Sequence, residues 1–168
     1  NHLYGDVFRL PRPRLVDGSA KVPGTDGQKM SKSYENTIEV FEEPGVQKKK
    51  IMRITTDSRP LEEPKDPQGD HLYQLYALMA PAEAAAEMAD TYRRGGFGYG
   101  EVKKAIVAAA ADYFAAARRR RSELEADPAA VAAMLANGAE RAREAAAAVL
   151  DRARAACGLG SRRGELRR

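Results

Sequence analysis

The sequence is poor in residues that form covalent crosslinks or bind metals. Its 168 residues include one cysteine, Cys157, and two histidines, His2 and His71, which lie far apart in the chain. A single cysteine excludes an internal disulfide, and these residues lack the spacing of a metal-ligand cluster, so we predict no metal site. The scarcity of cysteine favours a reducing compartment, and we therefore expect a cytoplasmic protein.

The chain also lacks a long apolar run and a signal peptide. No apolar run is long enough to cross a bilayer, so we predict no membrane partner. The first residues, Asn1 to Asp6, are polar and include no methionine, which is unlike a secretory signal. The abrupt start without methionine leads us to expect that the chain begins inside a longer protein.

Positively charged residues outnumber negatively charged ones. Hydrophobic residues make up 43% and charged residues 31% of the chain, which is typical of a globular domain. The formal net charge is +4 and the isoelectric point is about 9.2. This balance favours a polyanionic partner such as a nucleic acid. A genome that favours alanine and arginine codons would produce the same balance, and charge alone does not separate the two explanations.

Composition divides the chain into two zones and a tail. Residues 1–67 are rich in proline, glycine, lysine and threonine, and they end in the turn-rich stretch 60–67. Residues 68–160 are almost continuous helix-forming sequence, and residues 161–168 lack apolar periodicity. We predict a mainly α chain with a domain boundary after residue 67, a helical bundle over 68–160 and a disordered tail over 161–168.

In the first zone, the pattern predicts short extended segments at 7–10 and 15–16 and a short basic helix at 47–54. The second zone predicts about five helices, with apolar residues at helical spacing. The residues predicted to face inward are Leu72, Leu75, Tyr76 and Met79 after the N-cap Asp70; Ala85, Met88, Ala89 and Tyr92; and Val102, Ile106, Ala109, Tyr113, Ala117 and Leu124 in one helix over 101–125. Asp127 and Pro128 predict the start of a helix that ends at Asn137 and Gly138, and a last helix over 139–156 is predicted to stop at Gly158.

A basic loop at residues 29–33 carries the candidate chemistry. It reads Lys-Met-Ser-Lys-Ser and follows Gly24 and Gly27, which give the backbone freedom to move. Lysines three residues apart fall on one side of a helical turn, so Lys29 and Lys32 can reach one oxyanion cluster such as a triphosphate. The neighbouring hydroxyl and backbone N–H groups can add hydrogen bonds. An exposed basic loop without a ligand has the same residues, so the pentapeptide alone leaves both interpretations open.

With its surroundings, this pentapeptide resembles the KMSKS signature of class I aminoacyl-tRNA synthetases. The segment 23–38 closely resembles bacterial tryptophanyl-tRNA synthetases. A similar block at 4–11 precedes it, and others follow in order at 49–58, 61–67 and 95–104. The resemblance covers residues 4–158. It favours the tryptophan branch over the tyrosine branch because of residues 23–28 before the pentapeptide and residues 56–58 and 62–67 after it.

The resemblance implies a fold and a reaction. Residues 1–67 would be the end of a class I nucleotide-binding, Rossmann-like domain with the KMSKS loop, and 68–160 would be a helical domain that binds the tRNA anticodon. Tryptophan and MgATP would form tryptophanyl-adenylate and pyrophosphate, and the tryptophanyl group would then pass to the terminal ribose of its tRNA. ATP with its Mg²⁺ is thus the expected nucleotide substrate.

The resemblance also implies roles for individual residues. Lys29 and Lys32 would be catalytic, stabilising charge that develops on the leaving pyrophosphate. Met30, Ser31 and Ser33 would shape the loop and contact ATP. Val22 would lie near the adenine, although packing in the core explains an apolar residue there equally well.

Four consecutive arginines, 118–121, leave two interpretations open. One is a phosphate-contacting patch for tRNA, for which Arg118, Arg119 and Arg121 are the candidates. The other is a helix end in which an arginine lies near the interior or pairs with acids such as Glu123 or Glu125, favourably placed near the negative end of the helix dipole.

Several parts of the family pattern are missing from these residues. The HIGH-type motif and the strands of the tryptophan pocket are absent, so we expect this chain alone to be inactive, with ATP and tryptophan bound through a separate N-terminal half. The full-length parent is expected to be a homodimer. Two other interpretations are a stand-alone RNA-binding module without catalysis and an interaction domain with a vestigial pentapeptide. The intact pentapeptide argues against the latter.

Overall fold

The computed structural model describes residues 1–15 and 21–160, and within these ranges the chain is mainly helical. Its only strand-like pairing there is an isolated antiparallel bridge between Pro23 and Lys29. The helices are a 3₁₀ turn (Lys32–Tyr34), α1 (Pro44–Met52), α2 (His71–Ala77), α3 (Ala82–Arg94), α4 (Tyr99–Tyr113), α5 (Ala115–Ala126) and α6 (Pro128–Ala156). Contacts divide the chain into one unit of residues 15–121 and another of residues 1–14 and 122 onward.

The core of the 15–121 unit lies where α4 packs against α1 and α2, and where α2 packs against α3. The fully buried side chains include Ile51 of α1, Leu72 of α2, Tyr92 of α3 and Ile106 of α4. The buried residues of α3 (Ala85, Ala89 and Tyr92) and of α4 (Val102, Ile106 and Ala110) recur at helical spacing, so each of these helices presents one apolar face to the core. The burial of these faces is what stabilises helices as short as α2, which has seven residues.

Asp70 confirms the predicted start of α2 and also joins two helices. Its Oδ1 accepts hydrogen bonds from Leu72 N at 2.8 Å and Tyr73 N at 3.2 Å, which is N-cap geometry. The same oxygen accepts a hydrogen bond from Tyr92 Oη of α3 at 3.2 Å. Burial in this position, with the Asp70 carboxylate nearby, raises the pKa of the Tyr92 hydroxyl, which therefore stays protonated as a donor.

The predicted helix over 101–125 is wrong in its continuity. The structure divides it at Phe114 into α4 and α5, and two residues predicted to face inward, Tyr113 and Ala117, are exposed. Val102 and Ile106 are buried as predicted. The error arises because alanine dominates this stretch and fits either face of a helix, so apolar periodicity does not define the buried side beyond Ala110.

The predicted break at Asn137 and Gly138 is also wrong. The single helix α6 runs through both residues, and Gly138 does not have a positive φ. The alanine-rich flanks have high helix propensity, and they offset the local cost of a glycine in a helix, which is about 1 kcal/mol. The predicted ends are confirmed: Asp127 Oδ1 accepts from Ala130 N at 2.9 Å, and Gly158, at φ +72°, follows the C-cap residue Cys157.

In the first zone, the predicted basic helix is confirmed as α1, which runs from Pro44 to Met52 rather than over 47–54. The predicted strand at 7–10 is not formed; instead the Asn1 side chain accepts from Phe8 N at 2.9 Å and donates to Phe8 O at 2.7 Å, which closes a loop. The extended segment predicted at 15–16 lies partly outside the described residues, and the tail predicted at 161–168 lies wholly outside them. The domain boundary after residue 67 stays a prediction.

Within the described ranges, no helix has the length and hydropathy needed to cross a membrane.

Candidate functional site

The segment that precedes the pentapeptide is folded as a narrow loop. Met30 N donates to Val22 O at 2.8 Å and Gly24 N donates to Gln28 O at 2.7 Å, so the two arms pair as in a hairpin. Gly27 N then donates to Gly24 O at 3.1 Å across the tip. Gly27 has φ +79°, a conformation that favours glycine. This arrangement brings Lys29 to the end of the returning arm.

The pentapeptide itself turns sharply after Ser31. Ser31 is the N-cap of the 3₁₀ turn Lys32–Tyr34, and its Oγ accepts from Ser33 N at 3.3 Å. The two serine hydroxyls lie 3.2 Å apart. The turn ends at Glu35, which adopts the left-handed conformation with φ 53°. Both lysines of the pentapeptide are exposed, Lys29 two residues before the cap residue and Lys32 directly after it.

Asn36 lies behind the pentapeptide and is only 2% exposed. Its Oδ1 accepts from Ser31 N at 2.7 Å, and its Nδ2 donates to Asp26 Oδ1 at 2.8 Å and to Lys29 O at 3.2 Å. The hydrogen bond from Asn36 lowers the pKa of the Asp26 carboxyl. Asn36 was not among the predicted site residues; its signals in the sequence are its place in the segment 23–38 and a side-chain amide three residues after the pentapeptide.

The loop is tied to the helical core through Thr25 and Thr55. Thr55 N donates to Thr25 O at 3.0 Å, and Thr55 follows closely after α1. His71 Nε2, at the start of α2, lies 2.7 Å from Thr55 O and therefore donates to that carbonyl. The start of α2 and the segment after α1 thus hold the tip of the hairpin, while both lysines are exposed.

Val22 and Met30, the two residues that pair at the base of the hairpin, line an apolar cleft of about 790 Å³. The other side of the cleft is formed by residues of α1, α2 and α4 and the segments that follow α2 and α4, among them Ile51, Leu75 and Ile106. Val22 is half-buried and packs against the hydrophobic core. The structure therefore places Val22 in the packing role; its proximity to adenine stays a prediction.

The arginine run does not form a uniform patch. Arg118 is half-buried, and its guanidinium donates to Val40 O at 3.0 Å and to Gln47 Oε1 at 2.8 Å. The Arg121 guanidinium lies 4.8 Å from the centre of the Phe41 ring, a cation–π contact. Arg119 is exposed. Arg118 thus has the interior position that one interpretation required, and tRNA contact by Arg118, Arg119 and Arg121 stays a prediction.

Neither lysine of the pentapeptide is engaged within the described part of the chain. No hydrogen bond or ion pair with another described residue involves the Lys29 or Lys32 ammonium group. Over the same residues, no group of three or more His, Cys, Asp or Glu side chains is placed to hold a metal ion. What the site offers is therefore two exposed positive charges on a braced loop, a chemistry suited to anionic oxygens.

The known proteins that are similar to this chain are aminoacyl-tRNA synthetases. The family described as tRNA synthetases class I (W and Y) matches residues 1–115. The tryptophan–tRNA ligase of Rhodopirellula baltica is 57% identical over 159 residues, which cover 95% of this chain and 50% of that protein. The tryptophan–tRNA ligase of Fusobacterium nucleatum is 42% identical over 160 residues, covering 95% of this chain and 49% of the relative.

A solved structure is similar over the same extent. Tryptophanyl-tRNA synthetase from Campylobacter jejuni, in complex with ADP and tryptophan, superimposes with a TM-score of 0.75 at 36% identity. The match covers 95% of this chain and 50% of that one. The chain therefore spans about half the length of the relatives it matches.

Proposed function

Because this chain belongs to the class I tRNA synthetases of the tryptophan and tyrosine type, we propose that it supplies the phosphate-binding loop and the tRNA-binding helices of a tryptophan–tRNA ligase. The tryptophan branch is favoured because the similar proteins, at 57% and 42% identity, are tryptophan–tRNA ligases. The whole enzyme would activate tryptophan with MgATP and transfer it to tRNA. The expected homodimer and cytoplasmic location belong to the same proposal.

The chemistry assigns a charge-stabilising role to the loop. In the first step, a carboxylate oxygen of tryptophan attacks the α-phosphorus of ATP, and the bond to the bridging oxygen breaks as pyrophosphate leaves with the electron pair. Negative charge therefore grows on the departing phosphates. Ammonium groups placed at those oxygens stabilise the transition state more than the ground state, which raises the rate. Lys29 and Lys32 are proposed for this role, with Ser31, Ser33 and the backbone adding hydrogen bonds.

The observation that carries this proposal is the exposure of the two lysines and their position on the loop. Both are exposed, and they flank the N-cap residue Ser31 on a loop braced from behind by Asn36. An exposed basic loop that binds no ligand needs no such bracing. The arrangement is suited to a rigid approach of two charges to one polyphosphate. The solved structure of the Campylobacter jejuni synthetase holds ADP and tryptophan, which fits the same class of substrate.

A chimaera tests the proposal directly. The segment of the Rhodopirellula baltica ligase that corresponds to this chain is replaced by the 168 residues, and tryptophan-dependent exchange of pyrophosphate into ATP is measured. We expect exchange by the chimaera and none by the 168-residue chain alone, since the chain lacks the partner groups that hold the reactants. In the chimaera, Lys29→Ala with Lys32→Ala should abolish most of the activity. The matched control Lys48→Ala with Lys49→Ala removes the same charge from exposed positions on α1 and should have little effect.

Three results would contradict the proposal. A folded chimaera without exchange, while the parental ligase is active, would show that this chain does not supply a working loop. Exchange that depends on tyrosine rather than tryptophan would move the chain to the other branch. Equal loss in the double-lysine variant and its control would show that charge in general, and not the loop, matters. A stand-alone RNA-binding module without catalysis is not favoured, because the similar proteins are ligases.

A further inference from the structure

Asn36 is buried, and both ends of its side chain bond to the backbone of the pentapeptide. Its carboxamide uses both ends on one short segment of backbone: Nδ2 donates to Lys29 O, and Oδ1 accepts from Ser31 N. These two groups lie on either side of Met30, so one side chain holds the peptide planes on both sides of that residue. A planar amide with fixed donor and acceptor positions therefore sets the direction of the chain between the two lysines.

The hairpin before the pentapeptide is built around the same residue. Thr25 N donates to Asn36 O at 3.0 Å, and Asp26 Oδ1 accepts from Asn36 Nδ2. Gly24 packs so closely that a Cβ there would lie 2.5 Å from Asn36 Cγ and 2.7 Å from Asn36 O. Because Asp26 Oδ1 also accepts from Gln28 N at 3.0 Å, the tip of the hairpin and the pentapeptide share one hydrogen-bond network.

We propose that Asn36 is a positioning residue that directs Lys29 and Lys32 at the same phosphate groups by holding the backbone between them. This inference deepens the proposed function and rests on it. Asn36 contacts neither substrate nor reacting atoms in this assignment; it acts through the two lysines. Its loss therefore lowers the rate of adenylate formation more than it weakens the binding of ATP.

Three variants test the amide, and the first removes its donating end alone. Asn36→Asp keeps the shape and the acceptor for Ser31 N, but a carboxylate cannot donate to Lys29 O and it faces the carboxylate of Asp26. Asp26→Asn combined with Asn36→Asp exchanges the two groups and restores a donor–acceptor pair between positions 26 and 36. Asn36→Ser keeps a small polar group without the charge, and it serves as a second variant if Asn36→Asp does not fold.

The experiment uses the chimaera described above, with circular dichroism to check that each variant is folded. Single-turnover formation of tryptophanyl-adenylate, measured across ATP concentrations, gives the limiting rate and the dissociation constant for ATP. For Asn36→Asp we expect a limiting rate reduced on the order of a hundredfold, because small misplacements of charged groups have effects of this size. The dissociation constant should change little, and the exchanged pair should recover part of the rate. Lys29→Ala should cost much less in the Asn36→Asp background than alone, because both changes act on the same contact.

The outcomes distinguish this inference from the proposed function. If the unsubstituted chimaera is folded but forms no adenylate, the proposed function fails, and this inference fails with it. If it is active and the Asn36 variants keep its limiting rate, the inference alone is overturned. Additive effects of the Asn36 and Lys29 substitutions, or a change confined to ATP affinity, would also overturn it. Failure of both Asn36→Asp and Asn36→Ser to fold would assign Asn36 to folding and not to positioning.

Discussion

Arg118 Nη2 donates a hydrogen bond to Gln47 Oε1 over 2.8 Å, and this contact joins the start of α5 to α1. Its Nε also donates to Val40 O, so the guanidinium forms two hydrogen bonds with other residues of the 15–121 unit. Arg119, the next residue, is exposed. Two neighbouring arginines of one basic run therefore have different surroundings, and their substitutions should have different effects.

Substitution of these two arginines should separate stability from binding. Arg118→Ala should lower the free energy of unfolding by about 1.5–3 kcal/mol, the range for hydrogen bonds to a charged group. Arg119→Ala should change it by less than about 0.5 kcal/mol and should reduce the salt dependence of tRNA binding, because the proposed phosphate contact is lost. Urea denaturation and tRNA binding over a series of salt concentrations measure the two effects. A salt dependence unchanged by Arg119→Ala would identify that residue as part of a solvated helix surface only.

Single lysine substitutions test the mechanism of the loop. In the active chimaera, Lys29→Ala or Lys32→Ala should lower the limiting rate of adenylate formation by roughly a hundredfold, or about 3 kcal/mol, as for other donors that stabilise a developing oxyanion. Lys→Arg at either position should restore little, because a planar guanidinium replaces a compact charge. Single-turnover kinetics give the rate and the ATP affinity separately. Variants with weaker ATP binding and an unchanged limiting rate would show that the lysines anchor the ground state.

Lys65 is a buried charge with a structural role. It is 3% exposed, and its Nζ donates to Pro60 O at 3.0 Å, Leu61 O at 3.4 Å and Glu63 O at 3.0 Å. We expect Lys65→Met to lower the free energy of unfolding by about 2–3 kcal/mol, because backbone carbonyls lose a charged donor. Lys104→Met, at an exposed position on α4, is the matched control and should change stability by less than about 0.5 kcal/mol. Equal effects of the two substitutions in urea denaturation would contradict this role.

Two glycines should respond to alanine in opposite directions. Gly24→Ala would place a Cβ against Asn36 and should destabilise the loop, with a lower thermal midpoint and faster amide exchange at Ser31. Gly138→Ala meets nothing within 4 Å inside the continuous helix α6, and should stabilise the chain by about 0.5–1 kcal/mol. Hydrogen exchange and thermal unfolding measure both. A stabilising Gly24→Ala would show that the loop and Asn36 separate readily.

Acid should loosen the loop through Asp26. The hydrogen bond from Asn36 holds the pKa of the Asp26 carboxyl below its ordinary value of 3.8. A carboxyl whose pKa is lowered in the folded state stabilises that state above pH 3.8, and the stabilisation is lost as the pH falls through the lowered pKa. The carboxyl resonance of Asp26, followed by NMR, should therefore titrate below 3.8, and Asn36→Ala should raise its midpoint. An identical midpoint in both proteins would mean that the bond is not kept in solution.

Much of the helical framework and the candidate chemistry was predictable from local sequence. Asp70 and Asp127 were recognised as caps, Gly158 as a stop and the faces of α2 and α3 as buried, because capping and amphipathic spacing are properties of a few adjacent residues. The pentapeptide and its neighbouring glycines were likewise recognised by order alone. The strand predicted at 7–10 failed because a short apolar run has no partner strand in the described residues, and its alternation does not supply one.

The sequence by itself determined the family, the basic pentapeptide and the ends of the main helices, since all of these depend on residue order over short distances. Only the tertiary structure decided that Arg118 is half-buried and bonded to Val40 and Gln47 while Arg119 is exposed. It also decided that α4 ends at Tyr113 while α6 does not break at Gly138. Only it decided that Asn36 holds the backbone on both sides of Met30. A side-chain hydrogen bond depends on distances and angles between groups that the folded chain brings together, and a run of arginines or a single asparagine contains no information about either.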